Sequence, residues 1–87
     1  MMLIVQFIEK WGNVKDKSHI RAVETKGSTI YGNHFTIDAS EYDNSYFVAL
    51  YIVKNKELIE TGYICLDDIL GVFEVNESIA WIRMECL

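Results

Sequence analysis

Proline is absent from this 87-residue chain, and cysteine and glycine are scarce, with two and five residues respectively. Without proline the chain lacks the residue that most often protects an edge strand from pairing with another chain. We therefore expect its edge strands to be protected by charge or paired with a neighbour. The two cysteines, Cys65 and Cys86, lie in apolar runs and are too few to indicate a secreted disulfide scaffold, so we expect free thiols in a reducing compartment.

Motifs of catalysis and cofactor binding are also missing. The sequence has no G-x-S-x-G, no glycine-rich phosphate loop, no H-E-x-x-H and no C-x-x-C. The side chains of His19, His34, Cys65 and Cys86 are of the types that bind zinc, but no two of them have the spacing of a zinc finger. The sequence therefore predicts a protein that is not an enzyme and that uses no metal and no cofactor.

Long apolar runs are absent as well. No stretch approaches the roughly 20 apolar residues of a membrane span. The amino terminus has no basic segment, and its apolar run is interrupted at Gln6 and stops at Glu9, which is not the pattern of a signal peptide. We expect a soluble, cytoplasmic protein in which residues 1–87 form a single β domain.

Charge is unevenly distributed along the chain, whose formal net charge is -5. Residues 1–27 hold five Lys or Arg against three Asp or Glu, a net charge of +2, whereas the remainder holds three against ten, a net charge of -7. The overall acidity argues against a general binder of the phosphate backbone. The basic first segment leaves one alternative open, an Sm-like or cold-shock-like protein that binds a nucleotide or nucleic acid. The predicted anion-binding residues are Trp11, Lys15, Lys17 and Arg21.

An unbroken run of eight apolar or aromatic residues, Y-F-V-A-L-Y-I-V, occupies positions 46–53. Side chains alternate between the two faces of a strand, so Val48 and Leu50 face one way while Phe47 and Tyr51 face the other. Both faces of this strand must be covered. The chain's own core can cover one face, and we expect the second to be covered by a closed barrel, a helix or a second subunit.

Alternation and turn residues predict further strands on both sides of this run. These strands cover residues 2–11, 19–26, 29–31, 34–37, 57–66, 71–75 and 79–87. Gly32 with Asn33, and Asn55 with Lys56, predict two hairpin turns, and Gly62 predicts a bulge. The sequence thus predicts an all-β, mainly antiparallel fold. It would be a small barrel or a strongly bent sheet of six or seven short strands, with at most one short helical turn near Asp67 to Leu70.

Exposed aromatic residues carry the functional prediction. A polar, acidic loop at 38–45 contains a tyrosine and precedes another, and the last predicted strand turns a tryptophan outward. Such side chains offer a large rigid contact area. The predicted protein-binding residues are Tyr42, Asp43, Tyr46, Trp81 and Arg83. We expect a protein partner and a homo-oligomer, most simply a twofold dimer. The chain would be a small non-catalytic binding protein, of the kind that a phage or another mobile element uses to block a host protein or to sequester its ligand.

Overall fold

The computed structural model describes residues 2–13, 19–76 and 78–80, and within them the chain is mostly β. The elements are α1 (Ile4–Gly12), β1 (Arg21–Thr25), β2 (Thr29–Gly32), β3 (His34–Ala39), β4 (Tyr46–Lys54), β5 (Glu57–Cys65), a short 3-10 helix (Leu66–Asp68) and β6 (Ile69–Glu74). The described strands form two antiparallel sheets of three strands each, with the orders β2-β1-β6 and β3-β4-β5. The predicted antiparallel β fold and the helical turn near Asp67 are confirmed. Of the two predicted forms, a small barrel or a strongly bent sheet, the barrel is not observed, because the two sheets do not close on each other.

The predicted first strand at 2–11 is wrong, because this segment contains helix α1. Ile4, Phe7 and Trp11 recur at the spacing i, i+3 and i+7, which places them on one helical face toward the core. Gln6, which interrupted the alternation of the predicted strand, accepts a hydrogen bond from the backbone N–H of Leu3 at 2.8 Å. This contact satisfies a donor that the first turn of the helix leaves free. The expectation of at most one short helical turn fails for the same reason.

The predicted hairpin at Gly32 and Asn33 is also wrong. β2 pairs with β1 and β3 pairs with β4, so the chain passes from one sheet to the other at Asn33. The backbone N–H of Asn33 donates to the carbonyl of Tyr51 at 2.9 Å, and its Oδ1 accepts the N–H of Val53 at 2.9 Å. A Cβ at position 32 would lie 3.1 Å from the Tyr51 carbonyl oxygen, so glycine permits the close approach. The two residues therefore encode a corner between sheets.

The central hairpin, by contrast, is confirmed in its turn and its register. Asn55 and Lys56 have φ values of 53° and 65°, the left-handed conformation of a two-residue hairpin turn. The predicted bulge is present, because Gly62 pairs with Leu50 while Glu60 pairs with the next residue of β4. Thr61, the extra residue, donates its hydroxyl to the Tyr31 carbonyl at 2.6 Å. The bulge thus brings β5 against β2 of the other sheet.

The main core lies between the two sheets and under α1. Phe7 is fully buried with Val23 of β1 and Leu50 of β4. The rings of Phe7 and Phe35 meet edge to face with centroids 5.0 Å apart, and those of Trp11 and Phe35 with centroids 4.8 Å apart. Helix and facing sheet therefore cover the inner face of β4. No other described element covers its outer face, so the expected cover of both faces is not met within the described residues, and a second subunit stays a prediction.

Arg21 of β1 is only 2% exposed, and its side chain links this strand to the end of α1. Its Nε and Nη2 donate to the carbonyl oxygen of Trp11 at 3.3 and 3.2 Å, and its Nη1 donates to that of His19 at 2.8 Å. The guanidinium carbon also lies 4.6 Å from the centroid of the Trp11 ring. The Trp11 carbonyl belongs to the last helical turn, where carbonyl groups lack helical partners and attract cations.

The strands predicted at 19–26 and 71–75 are confirmed by β1 and β6. The last predicted strand, at 79–87, is wrong where the structure describes it, since residues 78–80 are helical. The N–H of Ala80 donates to the carbonyl of Asn76 at 3.0 Å, and the N–H of Ile79 donates to the Asn76 side chain at 3.3 Å. Asn76 thus caps a helical turn. Residues 81–87 lie outside the described part of the chain.

Replacing Arg21 by lysine tests the attachment of α1. We expect R21K to lower the free energy of unfolding by about 1–3 kcal/mol, because an ammonium group cannot match the planar fork that reaches two carbonyl oxygens. Urea unfolding followed by circular dichroism measures the change. The control is Lys26→Arg, an exposed change of the same chemical kind, which should be neutral. An R21K midpoint equal to that of the wild type would contradict this role.

Candidate functional site

The outer face of the sheet β3-β4-β5 is left without a cover from the other described elements. Its residues follow from the strand registers, which pair Asp38 with Phe47, Tyr63 with Ala49 and Glu60 with Tyr51. Directly paired residues project from the same face of a sheet. We call this set the aromatic–acidic surface, and it consists of Asp38, Phe47, Tyr51, Glu60 and Tyr63.

Two stacked rings form the centre of this surface. The centroids of Phe47 and Tyr63 are 5.2 Å apart and their planes differ by 3°. Phe47 is half-buried, whereas Tyr63 remains 55% exposed at the edge strand β5. Stacking restrains both rings, so they present a flat contact area that loses little side-chain entropy when a partner binds.

Carboxylates accompany these rings, and no Lys or Arg of the three strands does. Asp38 and Glu60 are both exposed, and no Lys or Arg of β3, β4 or β5 projects from this face. Partial removal of water around the hydroxyl of Tyr63, followed by the charges of Asp38 and Glu60, raises the pKa of this tyrosine above its ordinary value of 10.0. Two carboxylates therefore lie close enough to Tyr63 to act on its hydroxyl.

The loop at 40–45 holds Tyr42 out from the end of the same sheet. Ser40 N–H donates to the Ser45 carbonyl at 2.9 Å, and Ser45 N–H donates to the carboxylate of Asp43 at 3.0 Å. The N–H of Tyr42 donates to the Ser40 hydroxyl at 3.2 Å, and the tyrosine side chain is 98% exposed. The loop is thus closed by its own hydrogen bonds and presents an unburied ring.

Three of the predicted protein-binding residues fall in this region. Tyr42 and Tyr46 are exposed, while Asp43 uses its carboxylate within the loop. Ala39 and Tyr46 pair at the end of β3 and β4, next to Asp38 and Phe47, so the loop adjoins the aromatic–acidic surface. Trp81 and Arg83 lie outside the described residues.

The predicted anion-binding residues are placed differently. Trp11 and Arg21 are buried together where α1 meets β1, and the guanidinium is directed at backbone carbonyl groups. This placement leaves neither the indole ring nor the guanidinium on the surface for a nucleotide. Lys15 and Lys17 lie outside the described residues.

The sequence patterns did not identify the five residues Asp38, Phe47, Tyr51, Glu60 and Tyr63 as members of one site. The signal was available in part, because the turn at Asn55 and Lys56 fixes which residues of β4 and β5 are opposite each other. The bulge at Gly62 shifts that register by one residue beyond Glu60. Without this shift, Tyr63 would be opposite Val48, on the inner face. With it, Tyr63 is opposite Ala49 and projects from the same face as Phe47.

The aromatic–acidic surface is suited to binding, since it offers ring stacking, apolar contact and hydrogen-bond acceptors. Within residues 2–13, 19–76 and 78–80, no group of three or more His, Cys, Asp or Glu is arranged to hold a metal ion. None of the helices described here has the length and apolarity to cross a membrane. Comparison of the chain with models of known protein families, with curated proteins and with solved structures finds no match.

The hydrogen bonds at Asp43 make the loop sensitive to acid. Bonds from the hydroxyl and the backbone N–H of Ser45 hold the pKa of Asp43 below its ordinary value of 3.8. A lowered folded-state pKa means that this stabilisation is complete above about pH 4 and is lost as the pH falls through the folded-state value. We expect an NMR titration to show the Asp43 carboxyl and the Ser45 amide changing together below pH 3.8.

The variant Ser45→Ala provides the control for this titration. It removes the hydroxyl donor but keeps the backbone N–H, so the pKa of Asp43 should rise toward its ordinary value while remaining below it. An Asp43 pKa at or above 3.8 in the unmodified protein would contradict the hydrogen-bonded loop.

Proposed function

We propose that this protein is a non-catalytic binding protein that recognises another protein through the aromatic–acidic surface and the adjoining 40–45 loop. The observation that carries the proposal is the stacked pair of Phe47 and Tyr63, which stays accessible on a sheet whose opposite face is already buried. Contiguous exposed aromatic residues on a rigid element are typical of protein interfaces.

The architecture favours recognition of a surface over chemistry on a substrate. Hydrogen-bonded strands fix the positions of Phe47, Tyr51 and Tyr63, and Tyr42 adds a ring at the end of the sheet. Preformed contacts of this kind improve affinity, because fewer side chains lose freedom on binding. Such a protein acts by occupying its partner's surface. That is how an inhibitor from a phage or mobile element would block a host protein or withhold its ligand.

The nucleic-acid alternative has less support. A domain that binds the phosphate backbone needs a basic face, whereas the aromatic–acidic surface would repel phosphates. The two described members of the expected anion site, Trp11 and Arg21, are engaged with each other in the interior.

Affinity capture from the cells that naturally contain the protein tests the proposed function. The bait variant carries Tyr42→Ala and Tyr63→Ala, two exposed positions at which truncation should leave the fold intact. We expect at least one protein, captured after nuclease treatment and quantified by mass spectrometry, to be depleted on the order of tenfold, as for loss of an interface hot spot.

The matched control bait carries Val5→Ala and Leu70→Ala, which are also exposed apolar truncations but lie on α1 and β6. It should retain the same protein. Equal capture of every protein by both variants would reject the aromatic–acidic surface as the binding site. Loss of all capture on nuclease treatment would favour the nucleic-acid alternative.

Self-association is the second part of the proposed function, and it is supported by strand β5. This strand lies at the edge of its sheet, and its Leu58 and Ile59 are 57% and 48% exposed on opposite faces. Such an edge, which pairs with only one of the described strands and contains no proline, is a template for another strand. We propose that two copies pair their β5 edges antiparallel about a twofold axis. This pairing would keep both aromatic–acidic surfaces on one side of a continuous sheet.

Sedimentation equilibrium of a Leu58→Lys variant tests this dimer. At high micromolar concentration we expect the unmodified protein to show the mass of two chains and L58K that of one. Lysine on an edge strand opposes pairing, because two copies would bring like charges together. The control Leu70→Lys changes an equally exposed leucine on β6 and should remain dimeric. A monomeric wild type, or equal dissociation of both variants, would refute pairing through β5.

A further inference from the structure

We propose that the aromatic–acidic surface takes an extended, arginine-bearing segment of its partner, with guanidinium groups over Tyr63 and beside the carboxylates of Asp38 and Glu60. This inference rests on the proposed function and specifies the chemistry of the partner.

Charge complementarity predicts that the partner's binding segment is positively charged. The strand residues that project from this face include two carboxylates, one histidine (His34, opposite Tyr51) and no Lys or Arg. The chain as a whole has a net charge of -5, so a cationic segment is attracted both from a distance and at contact. An acidic or phosphorylated segment would be repelled at the same place.

Ring geometry favours arginine over lysine. Tyr63 is half-exposed and lies almost parallel to Phe47, so the pair offers a flat, electron-rich platform at the edge of the sheet. A guanidinium is planar, weakly hydrated and able to stack on such a ring while its N–H groups donate sideways to carboxylates. An ammonium group is compact and more strongly hydrated, and it makes only one of these contacts well.

Spacing of the carboxylates argues for an extended segment instead of a single ion. Asp38 and Glu60 lie on β3 and β5, on either side of β4, which separates them by about 10 Å across the sheet. Their partners on β4, Phe47 and Tyr51, are four residues apart, which adds about 13 Å along the strand direction. No single cation reaches both groups. Together these components place the two carboxylates about 16 Å apart. Two arginines four residues apart in an extended segment span about 13 Å, and their long side chains cover the remainder, with Tyr63 between them along the strand direction.

Titration of the intact protein with short capped peptides tests the inference. The probe is a peptide with arginines at its first and fifth positions and glycine or serine between them. Chemical-shift changes in a two-dimensional NMR spectrum report the binding site and the Kd. We expect the largest changes at Asp38, Phe47, Glu60 and Tyr63. Peptides with lysine or citrulline in place of arginine should bind more weakly, by about fivefold for lysine and more for the uncharged citrulline.

Two variants locate the interaction on the protein. Asp38→Asn with Glu60→Gln should weaken the arginine peptide by about tenfold, and Tyr63→Leu by about fivefold. The matched control, Glu24→Gln with Asp67→Asn, also removes two exposed carboxylates but lies on β1 and the 3-10 helix, so it should bind like the unmodified protein. Because the substituted positions are exposed, the double variant keeps the core intact.

Several outcomes would overturn the inference. Equal weakening by the control variant, or chemical-shift changes spread over the whole surface, would show that only net charge attracts the peptide. Equal binding of citrulline would exclude charge recognition. If affinity capture identifies a partner at this surface and the arginine peptide does not bind, the proposed function stands and the cationic segment is rejected. If capture also fails, both are rejected.

Discussion

The buried guanidinium of Arg21 is the interaction on which the described architecture depends. Removing a cation from water is unfavourable by several kcal/mol unless its donors find acceptors. Here the acceptors are carbonyl oxygens of Trp11, at the end of α1, and of His19, just before β1. The guanidinium finds these acceptors only when α1 and β1 meet in this arrangement. Its burial therefore disfavours other positions of the helix relative to the strand. Phe7 and Trp11 then fill the space between the sheets.

This packing determines where the candidate site lies. The inner face of β4 is covered by α1 and the first sheet. Among the described residues, side chains on its outer face contact only those of the neighbouring strands β3 and β5. Phe47 and Tyr63 stack there without being buried, and the bulge beside Gly62 aligns them. The same strands carry two carboxylates and no Lys or Arg on this face, so apolar contact and negatively charged groups coincide. The candidate site therefore lies on the face of the sheet that the core does not cover, and its flat, exposed rings support the proposed binding role.

Sequence patterns predicted the parts of the fold in which neighbours along the chain decide the conformation. The turn of Asn55 and Lys56, the bulge at Gly62 and the exposed Tyr42 loop needed only local chemistry. The helix was missed because nine residues rich in Ile, Val and Phe fit both an alternating and a helical period, and packing against Phe35 selects the helix. Gly32 and Asn33 were assigned to a hairpin because the same residue types serve a tight turn and a corner between sheets. Of the candidate site, Tyr42 in the adjoining loop was foreseen, whereas the five residues of the aromatic–acidic surface were not, and Tyr46 alternates to the opposite face from Phe47.

The sequence by itself determined that the chain is mainly antiparallel β, that residues 46–65 form a hairpin and that an acidic loop displays a tyrosine. These features follow from alternation and turn conformation, which act over a few residues. Only the tertiary structure decided that Trp11 and Arg21 are interior residues and that Asp38, Phe47 and Tyr63 form one surface. Those outcomes depend on which distant segment covers each face, and a strand that is apolar on both faces does not specify which of them will meet the core.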